Sequence, residues 1–375
     1  MKAALLLLIA SAFATTPPQH SWTLAQARSV LEGKTYDVID VSQADRPEYQ
    51  LQFSPRAVKS LGKRFVFAGL AHDAFTDQDV RVRFNFKRPG RITDFRGPAA
   101  DSSQPSFPIH ATFYYAWYPE AWLRDPVFPY SDFHPSLDYY SDYDTRIVRE
   151  HIDAMLYAHL DAGIYSWWGP DGYPQTDQLF ARYLAAARTT PFRWAIYYEG
   201  EGYGNPSVEK IRSDLEYIRD RYAAKPGYLK VDGRFVVYVY GSSGDDCAGM
   251  ATRWREANTV GAYIVLKGFA GFRTCSAQPD AWHQYSAALP EYDFSPDAFM
   301  ISPGFDERSE PSPRLTRDVT RWRSDIADMV ASNARWQLVL TFNEWPEGTA
   351  VESAQEWATP SGYGAYLDAL HELLP

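Results

Sequence analysis

Between Ala111 and Trp345, apolar runs of strand length recur eight times, and most of them lead into a segment with helical periodicity. The runs are "ATFYYAWY" (111–118), "IYSWWG" (164–169), "RWAIYYEG" (193–200), "RFVVYVYG" (234–241), "AYIVLKG" (262–268), "AWHQYSA" (281–287), "DAFMISPG" (297–304) and "WQLVLTFNEW" (336–345). Amphipathic stretches such as "DTRIVREHIDAMLYAHLDAG", "SVEKIRSDLEYIRDRYAAK" and "TRDVTRWRSDIADMVASNA" separate them, and "GYGAYLDALHELL" closes the chain. Eight strand-plus-helix units predict an α/β fold, a (β/α)8 TIM barrel. An open doubly wound sheet shares this alternation, but no glycine-rich phosphate loop follows the first run, which disfavours it.

Upstream of the barrel the pattern is different. Residues 20–96 hold a short helical stretch, "TLAQARSVLEG", ending at Gly33, then alternating runs such as "EYQLQFS", "RFVFAGLA" and "VRVRFNFKR". These predict a small β-rich N-terminal domain. "RGPAADSSQPSFP" then predicts a linker over 97–108, which places the barrel at 109–375. At the start, Lys2 followed by an apolar stretch and the small-x-small end Ala12-Phe13-Ala14 reads as a signal peptide, residues 1–14, cleaved near Ala14. The expected location is therefore secreted or periplasmic. The apolar stretch is shorter than the ~20 residues of a bilayer span, so no membrane insertion is expected.

Loss of Lys2 takes the formal charge of −10 to −11, which argues against nucleic acid as a partner. Aromatic residues are 16% of the chain, and they gather at the C-terminal ends of the apolar runs, the face on which barrels of this class build their sites. In order those ends supply Tyr115 and Trp117, Trp167 and Trp168, Tyr198 and Glu199, Tyr240, His283 and Tyr285, then Asn343, Glu344, Trp345 and Glu347. A ring offers a flat apolar face that suits a sugar, so an oligo- or polysaccharide is the expected partner. Two carboxylates beside it, Glu344 and Glu347, are the equipment of glycoside hydrolysis, one acid kept protonated by burial and repulsion. The histidines and the two cysteines show no metal-ligand spacing, and no metal or cofactor is expected.

The segment "FNEWPEGTAVE" resembles the F-N-E-W-H-E-G-T-x-I-E signature of glycoside hydrolase family 99, the endo-acting α-mannosidases and α-mannanases, and "SWWGPDG" is similar to its S-W-W-G-P-G. The resemblance spans nearly the whole barrel and leaves out residues 15–108. It implies that Glu344 acts as a base on the 2-hydroxyl of the substrate, giving a 1,2-anhydro sugar, and that Glu347 is the acid/base, with net retention. Pro346 stands where the family has histidine. "YYEGEGYG" keeps Glu199 without the proline and arginine usual after the third strand, and "VYVYGSS" lacks the aspartate that often follows the fourth.

A different class remains open: a polysaccharide-binding or surface-polysaccharide-associated protein that kept a ring-lined cleft without turnover. The loop Pro119–Tyr143 is far longer than the ~2–6 residues usual after a barrel strand and reads as a lid presenting Trp122 and Tyr130 to sugar. In an exported chain, Cys247 and Cys275 are expected to form one disulfide between the loops after the fourth and fifth strands. The oligomeric state is left open by the sequence.

Overall fold

The computed structural model describes residues 8–9, 24–32, 35–38, 49–61, 64–73, 78–88, 91–96, 100–242 and 246–375. The leader expected over residues 1–14 lies outside these apart from Leu8–Ile9, and so do Ala14 and Gly33. The chain divides into two compact units, Met1–Ala100 and Asp101–Pro375.

In the first unit, the helix Leu24–Leu31 precedes an antiparallel seven-stranded sheet. Its longest pair, Arg64–Asp73 against Gln78–Arg88, is in register from Phe65 opposite Phe86 to Asp73 opposite Gln78. Strand alternation puts Phe53, Phe67 and Phe84 on one face, where they are buried with ring centroids 4.9–5.1 Å apart. The β-rich reading of this region holds.

The second unit carries the eight strands read from the sequence: β1 Ile109–Tyr114, β2 Ala162–Trp167, β3 Arg193–Tyr198, β4 Arg234–Val239, β5 Tyr263–Lys267, β6 Ala281–His283, β7 Ala298–Ile301 and β8 Trp336–Val339. Parallel ladders run β6-β5-β4-β3-β2-β1-β8-β7, and a short strand, Glu291–Phe294, adds antiparallel to β7. No ladder joins β6 to β7 among the described residues, so the barrel is nearly closed. Helices pack outside it, and their N-termini are set by capping carboxylates and hydroxyls. Asp144 accepts from the backbone N–H of Arg146, Ser207 from Lys210, Asp246 from Ala248 and Gly249, and Asp318 from Thr320 and Arg321.

Each barrel strand is buried on both faces, one turned to the barrel axis and one to the helices. Alternation then sorts neighbours: Ile109, Ala111, Phe113 and Tyr115 point inward, while Tyr114 and Tyr118 join the strand–helix layer. The segment expected as a linker over 97–108 hydrogen-bonds to the barrel from Asp101 onward. Arg193 donates to the carbonyls of Asp101 and Ser103, and Gln104 exchanges hydrogen bonds with Tyr228 and Lys230. The reason is that Arg193, with its side chain wholly buried, needs those oxygens.

Candidate active site

The eighth run yields only four residues of strand before the chain turns. From Thr341 to Glu352 it forms a loop closed on itself. The backbone N–H of Thr341 donates to Thr349 O and that of Thr349 to Glu344 O, while the Thr341 hydroxyl accepts from the N–H of Glu344 at 2.9 Å. Gly348 sits at φ +62°, and a Cβ there would lie 2.5 Å from the carbonyl oxygen of Asp306, so only glycine fits this turn. The neighbouring loop grips it from outside: Asp306 N–H donates to Glu347 O, and the buried guanidinium of Arg317 donates to the carbonyls of Gly348 and Ala350.

This loop brings Glu344 and Glu347 together just past the C-terminal end of β8, close enough that the charge and the backbone N–H of Glu347 act on Glu344. Each has an outer oxygen, Oε2, that is buried and without a protein partner. Burial raises the Glu344 carboxyl well above its ordinary range, with the charges of Glu347 and then Glu199 adding to it; the backbone N–H of Glu347 pulls the other way. Burial likewise pushes Glu347 up to about 7, with Glu307 adding and Arg314 and Lys267 opposing. Two carboxylates that repel each other out of water hold a proton between them near neutral pH. Glu199 is the third member. Its carboxylate accepts from Ser166 Oγ at 2.7 Å, and burial pushes it up to about 8.

Rings complete the cavity. Tyr115 stacks on Trp117 at 4.6 Å and donates to the hydroxyl of Tyr285 at 2.7 Å. Tyr240 stands beside Tyr285, and the ammonium of Lys267 lies 4.2 Å over the Tyr240 ring. Glu199, Glu344 and Glu347 all act on the phenols of Tyr115 and Tyr285, whose pKa burial, above all, raises well beyond the ordinary value. Trp168 lines the same side, half-buried, 4.9 Å from Tyr203.

Not every residue expected in the cleft reaches it. Trp167 and Tyr198 follow strand alternation outward, where Trp167 Nε1 donates to Asp177 and the Tyr198 hydroxyl to Asp214. Trp345, expected in the cleft with the two glutamates, also turns away. Its ring stacks on Trp357 at 6.0 Å, and its Nε1 donates to Glu352, which itself bonds to Tyr140 and His151. Trp345 thus anchors the loop from behind. His283 points inward but lies below the cavity, fully buried among Phe113, Tyr197 and Tyr238, and burial pulls its imidazole down to about 3. Asn343 is buried as a clip: its Oδ1 accepts from Tyr115 N–H at 2.9 Å and its Nδ2 donates to Tyr115 O at 2.8 Å. The rings assigned to a lid are structural as well. Trp122 is buried against Tyr118 and Tyr140, and Tyr130 is buried with its hydroxyl donating to Glu307. Sequence reasoning passed over Ser166, Lys267, Tyr203, Glu307 and Arg317. Of these Lys267 carried a signal, a lone charge at the end of an apolar run. Cys247 and Cys275 are joined by a disulfide with Cα atoms 6.4 Å apart. Among the described residues no cluster of side chains is arranged to hold a metal ion, and no helix is long and apolar enough to cross a membrane.

The model of glycosyl hydrolase family 99 matches residues 121–262. The mouse glycoprotein endo-alpha-1,2-mannosidase is 26% identical over 282 residues, covering 63% of this chain and 60% of that protein. The human glycoprotein endo-alpha-1,2-mannosidase-like protein is 25% identical over 281 residues, 64% of this chain and 61% of its own length. Among solved structures, the GH99 endo-alpha-mannosidase of Bacteroides thetaiotaomicron superposes with a TM-score of 0.56 at 20% identity, over 72% of this chain and 97% of that one. Over these residues the chain is similar to glycoside hydrolase family 99. It spans about 60% of the length of the curated relatives it matches. The family model matches no residue beyond 262, so it does not reach Glu344.

Proposed function

We propose that this chain is an exported endo-acting glycoside hydrolase that cleaves α-linked, mannose-type glycans with retention. The observation that carries the reading is the pair of neighbouring glutamates, Glu344 buried and Glu347 half-buried, each with one buried oxygen that has no protein partner, beside the rings of Tyr115 and Tyr285. A structural carboxylate that deep would be hydrogen-bonded on both oxygens, whereas one that must exchange protons with a sugar keeps an oxygen without a protein partner.

In the first step Glu344 takes the proton of the 2-hydroxyl as that oxygen attacks the anomeric carbon from the face opposite the leaving group. The glycosidic bond breaks, its oxygen takes the proton of Glu347, and a 1,2-anhydro sugar remains. In the second step Glu347, now a carboxylate, takes a proton from water. The water oxygen opens the three-membered ring at the anomeric carbon, and O2 recovers its proton from Glu344. Two inversions give retention. Each step needs one glutamate charged while the other is neutral, the state that mutual repulsion favours. The curated relatives named as endo-alpha-1,2-mannosidases support mannose as the sugar.

Glu344→Gln and Glu347→Gln separate the roles. Both should lose several orders of magnitude in kcat on an α-mannan oligosaccharide while folding normally. With an activated aryl leaving group, Glu347→Gln should recover much of the first step and Glu344→Gln none. Saccharide binding by a parent that never turns over would instead identify a non-catalytic binder, and equal recovery by both variants would refute the assignment.

A further inference from the structure

One ring at the cleft is held rigidly where no core needs it. Tyr203, 68% exposed, has the greatest exposure of any large hydrophobic side chain among the described residues. It rides on a single helical turn, Glu201–Gly204, directly after Glu199. That turn is pinned from below. Glu201 is almost fully buried, accepting from Trp254 Nε1 at 2.8 Å and pairing with the guanidinium of Arg253. Gly202 lies against Tyr240, so closely that a Cβ would fall 2.2 Å from the ring. Asn205 ends the turn in the left-handed conformation, φ 45°, with its N–H donating to Glu201 O.

The pedestal presents Tyr203 with its ring centroid 4.9 Å from Trp168 and 5.8 Å from Tyr240, so the ring lining of the cleft continues through it to solvent. The phenol is pushed up to about 12, by burial first and then by the charges of Glu199, Tyr240, Glu347 and Glu344. An isolated exposed ring needs no explanation, but one continuous with a catalytic cleft and anchored by a buried carboxylate does. It also falls in "YYEGEGYG", the segment without the proline and arginine of the family-99 pattern it resembles.

We propose that Tyr203, backed by Trp168, is a stacking platform for a pyranose ring of the substrate at least one unit removed from the bond that is cleaved. This rests on the glycosidase reading. Its flat apolar face covers the C–H face of one sugar, which makes the site prefer longer chains over short ones. A ring contact of this kind changes affinity roughly three- to tenfold.

The test is calorimetric binding of α-linked manno-oligosaccharides of two to five units to the full chain carrying Glu344→Gln, with and without Tyr203→Ala or Tyr203→Phe. Expected is a three- to tenfold loss for Tyr203→Ala on the longer oligosaccharides only, with Tyr203→Phe matching the parent. Because the side chain is exposed, melting temperature should not move. A loss equal at every length, no loss at any length, or a Phe variant as weak as the Ala variant overturns the platform while leaving the glycosidase reading intact. If the Glu344→Gln parent binds none of the series and the native chain hydrolyses none, both fall.

Discussion

Asn343 offers the sharpest test of how the site is held. The β8–β1 ladder ends at Val339 opposite Thr112, and beyond it the two chains are joined by Phe342 N–H to Phe113 O and by the Asn343 side chain on Tyr115. Asn343 is fully buried and Tyr115 nearly so, so water does not replace what the amide supplies. Asn343→Ala orphans one N–H and one C=O at about 1–3 kcal/mol each, a loss of ~2–6 kcal/mol before any cavity is counted. Asn343→Asp keeps the acceptor and loses the donor, setting a carboxylate against the Tyr115 carbonyl. Protonation restores a donor. The folded-state pKa of that new carboxyl is therefore raised, and the stability it contributes is present below its unfolded pKa and lost as pH rises through the folded one.

Urea unfolding followed by tryptophan fluorescence measures this in the barrel, since eleven of the twelve tryptophans, Trp117 onward, lie in that unit. Turnover should fall with stability, because Glu344 is the next residue and Tyr115 lines the cavity; a displacement of about 1 Å costs on the order of 100-fold in rate. A stability of Asn343→Ala within ~0.5 kcal/mol of the parent, or an Asn343→Asp variant with no gain on acidification, would refute the clip.

Three further outcomes are expected. Glu307, held by Tyr130 and Ser309, raises the Glu347 carboxyl and Arg314 lowers it, so in kcat/KM against pH the alkaline limb should move to lower pH in Glu307→Gln and to higher pH in Arg314→Met; shifts of the same sign would exclude a charge effect. Glu199 has its folded-state pKa raised to about 8, so it favours the fold most below about 4.5 and progressively less as pH climbs through 8; Glu199→Gln should flatten the fall in melting temperature across that window, and an unchanged slope would assign the fall elsewhere. Opening the Cys247–Cys275 disulfide, with its sequence separation of 28, should cost ~3–4 kcal/mol in the chain-entropy account, measured on a Cys247→Ala/Cys275→Ala variant; a loss below ~1 kcal/mol would mean the loops are held without it.

The eight strands were legible because each is an uninterrupted apolar run ending in turn residues. The same property hid which side chains face the cavity. A strand half-exposed to water shows its inner face by alternation, but barrel strands are covered on both faces and give no such contrast. Trp167 beside Trp168 and Tyr198 beside Glu199 were therefore all expected in the cleft, although neighbours on a strand point oppositely. Lys267 shares parity with Tyr263 and Val265 and could have been found by that rule. Tyr203, Glu307 and Arg317 could not, because they reach the site from loops whose path depends on packing far away in sequence.

The spacing of the two glutamates follows from where β8 stops. On a continuous strand, residues three apart face opposite ways, so a strand running through Trp345, as the apolar run suggests, would have put Glu344 and Glu347 on different sides. The strand ends at Val339, and from Thr341 the backbone follows its own closed loop. The hydroxyl of Thr341, the turn at Gly348 and the grip of Arg317 set its course, and the outward anchoring of Trp345 leaves the inward direction to the glutamates on either side of it. Pro346 suits this turn because its own N–H is absent and its φ is fixed, so the loop loses no hydrogen bond by carrying it. What the position gives up is a polar side chain next to the acid pair, and the surrounding loop supplies charge in its place, through Glu307 and Arg314, from the β7 side of the cavity.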